Sequence, residues 1–466
     1  MILSFCTSVA LAGDLLVVDA RVWDGSGAPV QDGVWLLVRD GRLEELGVGE
    51  PPDPAVLGFE PRVLDVEGAT VLPGLIDAHV HLTAVPGAPW RGEDEAAHLP
   101  HIRAQLPAYL AAGVTSVLDT GIFPEGLRAI RAELAGGLPG PRVLSLGPVL
   151  APAGGYPAAI VDGFPELASV DDVTSALDEL VALEAVGVKA TVESGFVREV
   201  WPLYSDEVLD ALRDQAGARS LPIYVHATSA DEQQLALERL APHAFVHQVE
   251  DPNPELVAAL AASGAYVMPT MALMDAPLTE FQVERLDDPW LRALVPPLQL
   301  QSATDAVAIE GWHRDMIRVA LPGLPGWLQG WAASVGVKEE LWLGRLAAGQ
   351  AVTRTLHEAG VPIVLGSDAG SYEQCPFYFH GVSSIRELEL LAESIGAEAA
   401  LVAATRTPAE MLGRDDLGTL EVGKRADFVV VGGDPLVSVR ALRDLRYTVV
   451  DGVAGEPAEW LAGGPE

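Results

Sequence analysis

The chain has 466 residues, 49% hydrophobic and 20% charged, which is enough apolar side chain for a large packed core and excludes a disordered chain. Its formal net charge is −37. Phosphates and anionic lipids are held by clustered Lys and Arg, so nucleic acid and membrane are excluded as expected partners, leaving a small-molecule or peptide substrate and room for a homo-oligomer.

Residues 1–13, MILSFCTSVALAG, are apolar and end in Ala-Leu-Ala, but they lack the basic stretch of a secretory signal and are too short to span a bilayer. A cytoplasmic protein is expected, with export as the alternative if this tail is a truncated signal remnant. From Asp14 the pattern is strand-like over 15–23 and 33–39, turns at Asp40-Gly41, and continues over 42–46. The same signal returns at 426–431 and at 447–450 before Asp451-Gly452. Residues 14–70 and 414–466 therefore read as two parts of one β-sandwich module formed by both chain ends, with a larger domain, 71–413, between them.

Within that domain strands alternate with helical stretches, the pattern of a parallel βα architecture. Eight strands are predicted, at 72–78, 116–119, 142–146, 186–192, 223–227, 244–247, 265–270 and 362–367, with helices such as 171–186 and 231–240 between them. The expected fold class is α/β, a (β/α)8 TIM-type barrel. The interval from about 272 to 360 is longer than one crossover needs and should hold extra helices over the barrel mouth. Its Trp290, Trp312, Trp327, Trp331 and Trp342 read mainly as the packed interior of that cap, or else as pocket lining.

Strand ends of such a barrel converge on one open face. Standing there are His79, His81, Lys189, His226, His247 and Asp368, in a chain with 10 histidines. Residues 79 and 81 lie on the same side of a strand, so both can reach one ion. Imidazole suits zinc and related metals, and a carboxylate can also take a proton from water. An isolated His-x-His is ordinary strand sequence; the joint occurrence in barrel order is what points to a metal centre. Lys189 sits on an apolar strand of a chain that has three lysines and otherwise uses Arg, so an amine is expected to matter there. A buried lysine can lose its proton, which a guanidinium cannot. The alternatives are a lysine that snorkels to a rim or pairs with Glu193. The two cysteines, Cys6 and Cys375, are too few for a disulfide framework, and Cys375 reads as a small buried hydrophobe.

On these residues the chain resembles the amidohydrolase superfamily, and within it the imidazolonepropionase-like and Xaa-Pro dipeptidase-like branch. The likeness covers nearly the whole chain from Asp14. It is carried by Val71-Leu-Pro-Gly-Leu-Ile-Asp-Ala-His-Val-His81, Gly187-Val-Lys189, Gly366-Ser-Asp-Ala-Gly370 and the stretches 112–119, 404–413 and 418–428. It implies two divalent ions, taken as zinc, with His79, His81 and Asp368 on one, His226 and His247 on the other, and a carboxylated Lys189 bridging them. The implied reaction is hydrolysis of an amide C–N bond in a peptide-like or N-acyl amino-acid substrate, by attack of a metal-bridging hydroxide. Asp368 would be the base, and His247 would help hold the carbonyl oxygen. A deaminase is disfavoured because the Glu expected soon after the strand-five His is missing from His226-Ala-Thr-Ser-Ala230. Two alternatives are carried forward: a cyclic-amide hydrolase of imidazolonepropionase type with a mononuclear centre, and a non-catalytic scaffold retaining the barrel. Tyr156, Tyr372 and His380 are the candidate substrate contacts.

Overall fold

The computed structural model describes residues 13–87, 99–370 and 374–465. Tyr372, and all of the expected N-terminal tail except Gly13, lie outside the described residues.

Two runs of parallel strands form the larger part. One joins Leu75–Val80, Val114–Asp119 and Arg142–Ser145; the other joins Val188–Thr191, Ile223–His226, Ala244–Phe245 and Tyr266–Val267. Single parallel bridges link the runs, Leu150 to Ala190, Val267 to Ile363 and Val80 to Ala369. The result is a TIM-barrel-type α/β fold in which pairing is partly by isolated bridges rather than one continuous ladder. The predicted strand at 362–367 is accordingly not a regular strand. It is held by backbone bonds such as Ala78 N to Leu365 O (2.9 Å) and Asp368 N to His79 O (2.8 Å), and regular geometry ends at Asp368, whose φ is +54°.

The intervening helices start where the sequence supplies caps. Ser169 and Ser229 form capping boxes with Asp172 and Glu232, opening Val170–Ala182 and Ala230–Arg239. Asn253 caps Pro254–Ser263, and Gly264 ends it at φ +72°. Both helices predicted from spacing are present.

The chain ends meet in one branched sheet of eight strands. Gln31–Arg39 and Arg42–Val48 form the predicted hairpin, with Asp40 and Gly41 both at positive φ as a tight hairpin turn requires. Phe428–Val431 lies antiparallel to Thr70–Pro73, with Val430 opposite Val71, so the C-terminal part closes onto the N-terminal part. The pairing records one branched sheet, and the expected two-sheet sandwich is not borne out. Thr70–Pro73 belongs to this sheet and Leu75–Val80 to the barrel, so the single strand predicted at 72–78 is divided at Gly74.

Between 272 and 358 the chain is helical, including Ala306–Ala320, Gly326–Gly336 and Glu339–Glu358. Trp312 and Trp342 are buried and stack at 6.1 Å, as a packed cap requires, whereas Trp327 and Trp331 are exposed. Cys375 is buried. Among the described residues no helix is long and apolar enough to cross a membrane.

Candidate metal centre

Strand Leu75–Val80 delivers His79 from its last turn of pleat and His81 just beyond it, while the bridge Val80–Ala369 brings Asp368 alongside. His79, His81 and Asp368 each offer a ligand atom within 4.8 Å of the others, and all three are buried. His247 and His226 continue the cluster: ring centroids are 5.0 Å apart for His79–His247 and 4.6 Å for His226–His247. Lys189 is buried from the opposite strand, its Nζ 3.3 Å from His79 Nε2 and 3.2 Å from Thr120 Oγ1. It neither reaches a rim nor bonds Glu193. Glu193 instead accepts from Thr228 Oγ1 at 2.7 Å and lies 3.5 Å from His226 Nε2.

Hydrogen bonds on the far side of two rings fix their tautomers. His79 Nδ1 donates to Val246 O at 2.9 Å, which leaves the Nε2 lone pair directed into the cluster. The Thr270 hydroxyl donates to Pro269 O at 2.8 Å and so must accept from His247 Nδ1 at 2.9 Å, orienting His247 the same way. Asp368 Oδ1 lies 3.0 Å from His81 Nε2 and 3.4 Å from His79 Nε2, yet it finds no donor in hydrogen-bonding geometry although buried. Lone pairs facing a carboxylate in a dry site need a cation between them, so the residues present fit a divalent ion.

The electrostatics agree with a cluster made to be neutral at nitrogen and anionic at oxygen. Burial pushes His79 and His247 well below the ordinary histidine range. Burial alone would raise Asp368, but His79, His81 and His247 around it hold its carboxyl well below the usual carboxylate range. Burial lowers the Lys189 amine to about 8, against the pull of Asp368 and Asp119. Asp368 also sits at a positive φ, uncommon for a non-glycine residue though more accessible to Asp than to most, and its surroundings help enforce it. Asp77 supplies part of that enforcement, accepting from Ser367 N at 3.0 Å, Ser367 Oγ at 2.6 Å and Ser384 Oγ at 2.6 Å.

A cavity of about 220 Å³ opens above His226, His247 and Asp368. Tyr156, Phe196, Trp342 and Tyr378 give it aromatic walls, and Glu250 and Arg345 pair at 2.5 Å along its lining. Tyr156 stands 5.1 Å from the His226 ring. His380 is not among the lining residues: it is buried with Nδ1 bonded to Tyr109 Oη at 2.7 Å and Nε2 to Ala84 O at 2.9 Å, leaving no ring nitrogen for a substrate. Spacing alone does not single out Thr120, Thr270, Glu193 or Arg345, and Glu193 figures in the sequence only as a partner for Lys189.

A barrel-type α/β fold with His-x-His and a strand-end aspartate over a buried lysine defines a metallohydrolase. The chain belongs to the amidohydrolase family, whose model matches residues 70–455. It is an enzyme acting on carbon–nitrogen bonds. Among solved structures, an Xaa-Pro dipeptidase with methionine bound in its active site is similar with a TM-score of 0.70 and 22% identity, covering 95% of this chain and 100% of that one. A putative prolidase from Bifidobacterium longum is similar with a TM-score of 0.67 and 22% identity, covering 98% and 96%. At such identities the likeness is one of fold. The 8-oxoguanine deaminase of Pseudomonas aeruginosa is 39% identical over 95 residues, 20% of this chain, and the match spans 21% of that relative's length.

Proposed function

We propose that the protein hydrolyses the amide bond of a peptide-like or N-acyl amino-acid substrate at a binuclear centre, with zinc in both positions and Lys189 carboxylated between them. The observation that carries this reading is the unbroken contact of His81, His79, His247 and His226 around Asp368, with the Lys189 amine inside the same cluster. His79, His81 and Asp368 would hold one ion; His226 and His247 would hold the other. An amine lowered to about 8 is in part neutral near neutral pH, the form that can add carbon dioxide.

Divalent ions bound there would acidify water and polarise the scissile carbonyl. Asp368 takes the proton that the attacking water loses as its oxygen bonds to the carbonyl carbon. It returns that proton to the nitrogen as the C–N bond breaks, so acid and base are one carboxylate. His247, fixed by Thr270, faces the cavity where the carbonyl oxygen would lie. Tyr156 and the other aromatic walls exclude water from the apolar part of the substrate, and Arg345 offers a guanidinium to a substrate carboxylate.

Metal-loaded protein should hydrolyse members of a panel of dipeptides and N-acyl amino acids and contain two metal ions per chain. Failure on every amide in the panel, with both ions bound, overturns the reading. A mononuclear cyclic-amide hydrolase is the second reading. It is favoured by the compactness of His79, His81 and Asp368, whose ligand atoms lie within 4.8 Å of one another and could by themselves hold one ion. One ion per chain together with turnover of a cyclic amide decides for it.

A further inference from the structure

We infer that helix Gly326–Gly336 is the self-associating face of the protein, covered by the same helix of a second copy. The helix carries two parallel rows at i, i+4 spacing. Trp327, Trp331 and Val335 are 80%, 66% and 58% exposed and form a ridge. Gly326, Gly330 and Ser334, one position earlier, are exposed too and form a groove beside it. A Cβ placed on Gly326 or on Gly330 would meet nothing within 4 Å, so the groove is open along two glycines. The other side of the helix is spent inside the molecule, where Ala333 and Val337 pack with Ile317 and Met316.

A ridge at i±4 next to a groove of equal pitch is complementary to itself. Two copies related by a two-fold axis set each ridge into the other's groove, the commonest way helices pack. Tryptophan is the residue that most often dominates such contacts, and each can bury up to about 250 Å². Charge selects the same occupant. Each chain carries −37, so contact between copies is opposed over most of the surface, but residues 319–337 contain no charged side chain. An anionic membrane is repelled by the remainder of the molecule.

The test is light scattering coupled to size exclusion of the full, metal-loaded chain over a range of concentrations. Wild type should be dimeric, or a higher even oligomer. Trp327→Ala/Trp331→Ala should halve the assembly and weaken it by at least about 100-fold in Kd, since hot-spot tryptophans cost about 2 kcal/mol or more each. Gly330→Leu keeps both rings but fills the groove, and it should do the same. Unchanged far-UV circular dichroism and a single cooperative unfolding transition in the monomers would show that the substitutions act at the surface. A wild type that is monomeric at all concentrations, or an oligomer untouched by both variants, overturns the proposal. So does a monomer whose tryptophan fluorescence shifts blue on phosphatidylcholine vesicles, which would make the ridge a lipid contact.

Discussion

His247 can offer Nε2 to a cation only while its Nδ1 proton has an acceptor, and the Thr270 hydroxyl 2.9 Å away is that acceptor. Thr270→Val keeps the shape and removes the oxygen. It is expected to weaken metal affinity by about 10–100-fold, with Thr270→Ser restoring most of it; competition against a chelator measures both, and an unchanged affinity would refute the tautomer assignment. Lys189 makes a different demand. Lys189→Arg preserves a cation in the same buried place, but a guanidinium can neither lose its proton nor add carbon dioxide. If Lys189 bridges two ions as proposed, the arginine variant should bind one ion fewer than wild type and lose most of its turnover, as elemental analysis and initial rates would report. The residues His79, His81, His226, His247 and Asp368 could be picked out from sequence because they stand at or just past strand ends, and Lys189 because it is an amine within an apolar strand. Thr120 and Thr270 could not: a threonine at a strand end is common, and its role exists only through the direction of one hydrogen bond.

Between strand Thr70–Pro73 of the chain-end sheet and strand Leu75–Val80 of the barrel stands a single residue, Gly74. A Cβ there would lie 2.3 Å from Thr115 Oγ1 and 2.5 Å from its Cγ2, so the strand bearing His79 and His81 can lie against Val114–Asp119 only if residue 74 has no side chain. Gly74→Ala should cost about 1–3 kcal/mol by overpacking and lower activity through displaced histidines, and Thr115→Ala in the same chain should recover part of both losses. Paired melts and rates over the mutant cycle test this, and additive losses would refute it. The run through 72–78 is apolar up to Asp77, which is why it reads as a single strand although Pro73-Gly74 marks a break; the approach of Thr115 shows why the division falls at a glycine. Helix Val382–Ile395 supplies another joint, since buried Glu387 accepts from Ala272 N at 2.6 Å and ties the start of the helical cap to the barrel. Burial raises this carboxyl to about 8. An unfolded glutamate titrates near 4.3, so as pH rises from there towards 8 the unfolded chain sheds a proton that the folded one keeps, and this group progressively opposes folding. Glu387→Gln should thus gain stability relative to wild type at pH near 8 and little at pH near 5. Equal differences in melting temperature at the two pH values would contradict that sign.

The whole molecule carries 66 acidic against 29 basic side chains, and that imbalance must be borne by the folded state. Local pairs do not remove it: buried Asp275 is shared by Arg285 and Arg386 and buried Glu389 by Arg386 and Arg443, other arginines pair at the surface as Arg219 does with Asp178 and Arg239 with Asp206, and the carboxylates still outnumber the basic groups. Salt acts on the two populations unequally. Raising it from about 0.01 M to about 1 M shortens the screening length from about 30 Å to about 3 Å, which removes long-range repulsion between surface charges but scarcely touches pairs in contact and out of water. Sodium chloride should therefore raise the melting temperature by several degrees over this range, whereas a chain held mainly by exposed ion pairs would soften. Salt would also favour association of two acidic copies, and that route to a higher melting temperature depends on protein concentration. The Trp327→Ala/Trp331→Ala chain separates the causes. A rise that persists in this variant, independent of its concentration, belongs to repulsion within one chain. A flat or falling melting temperature in the variant would mean that its excess negative charge is spread too widely to oppose folding.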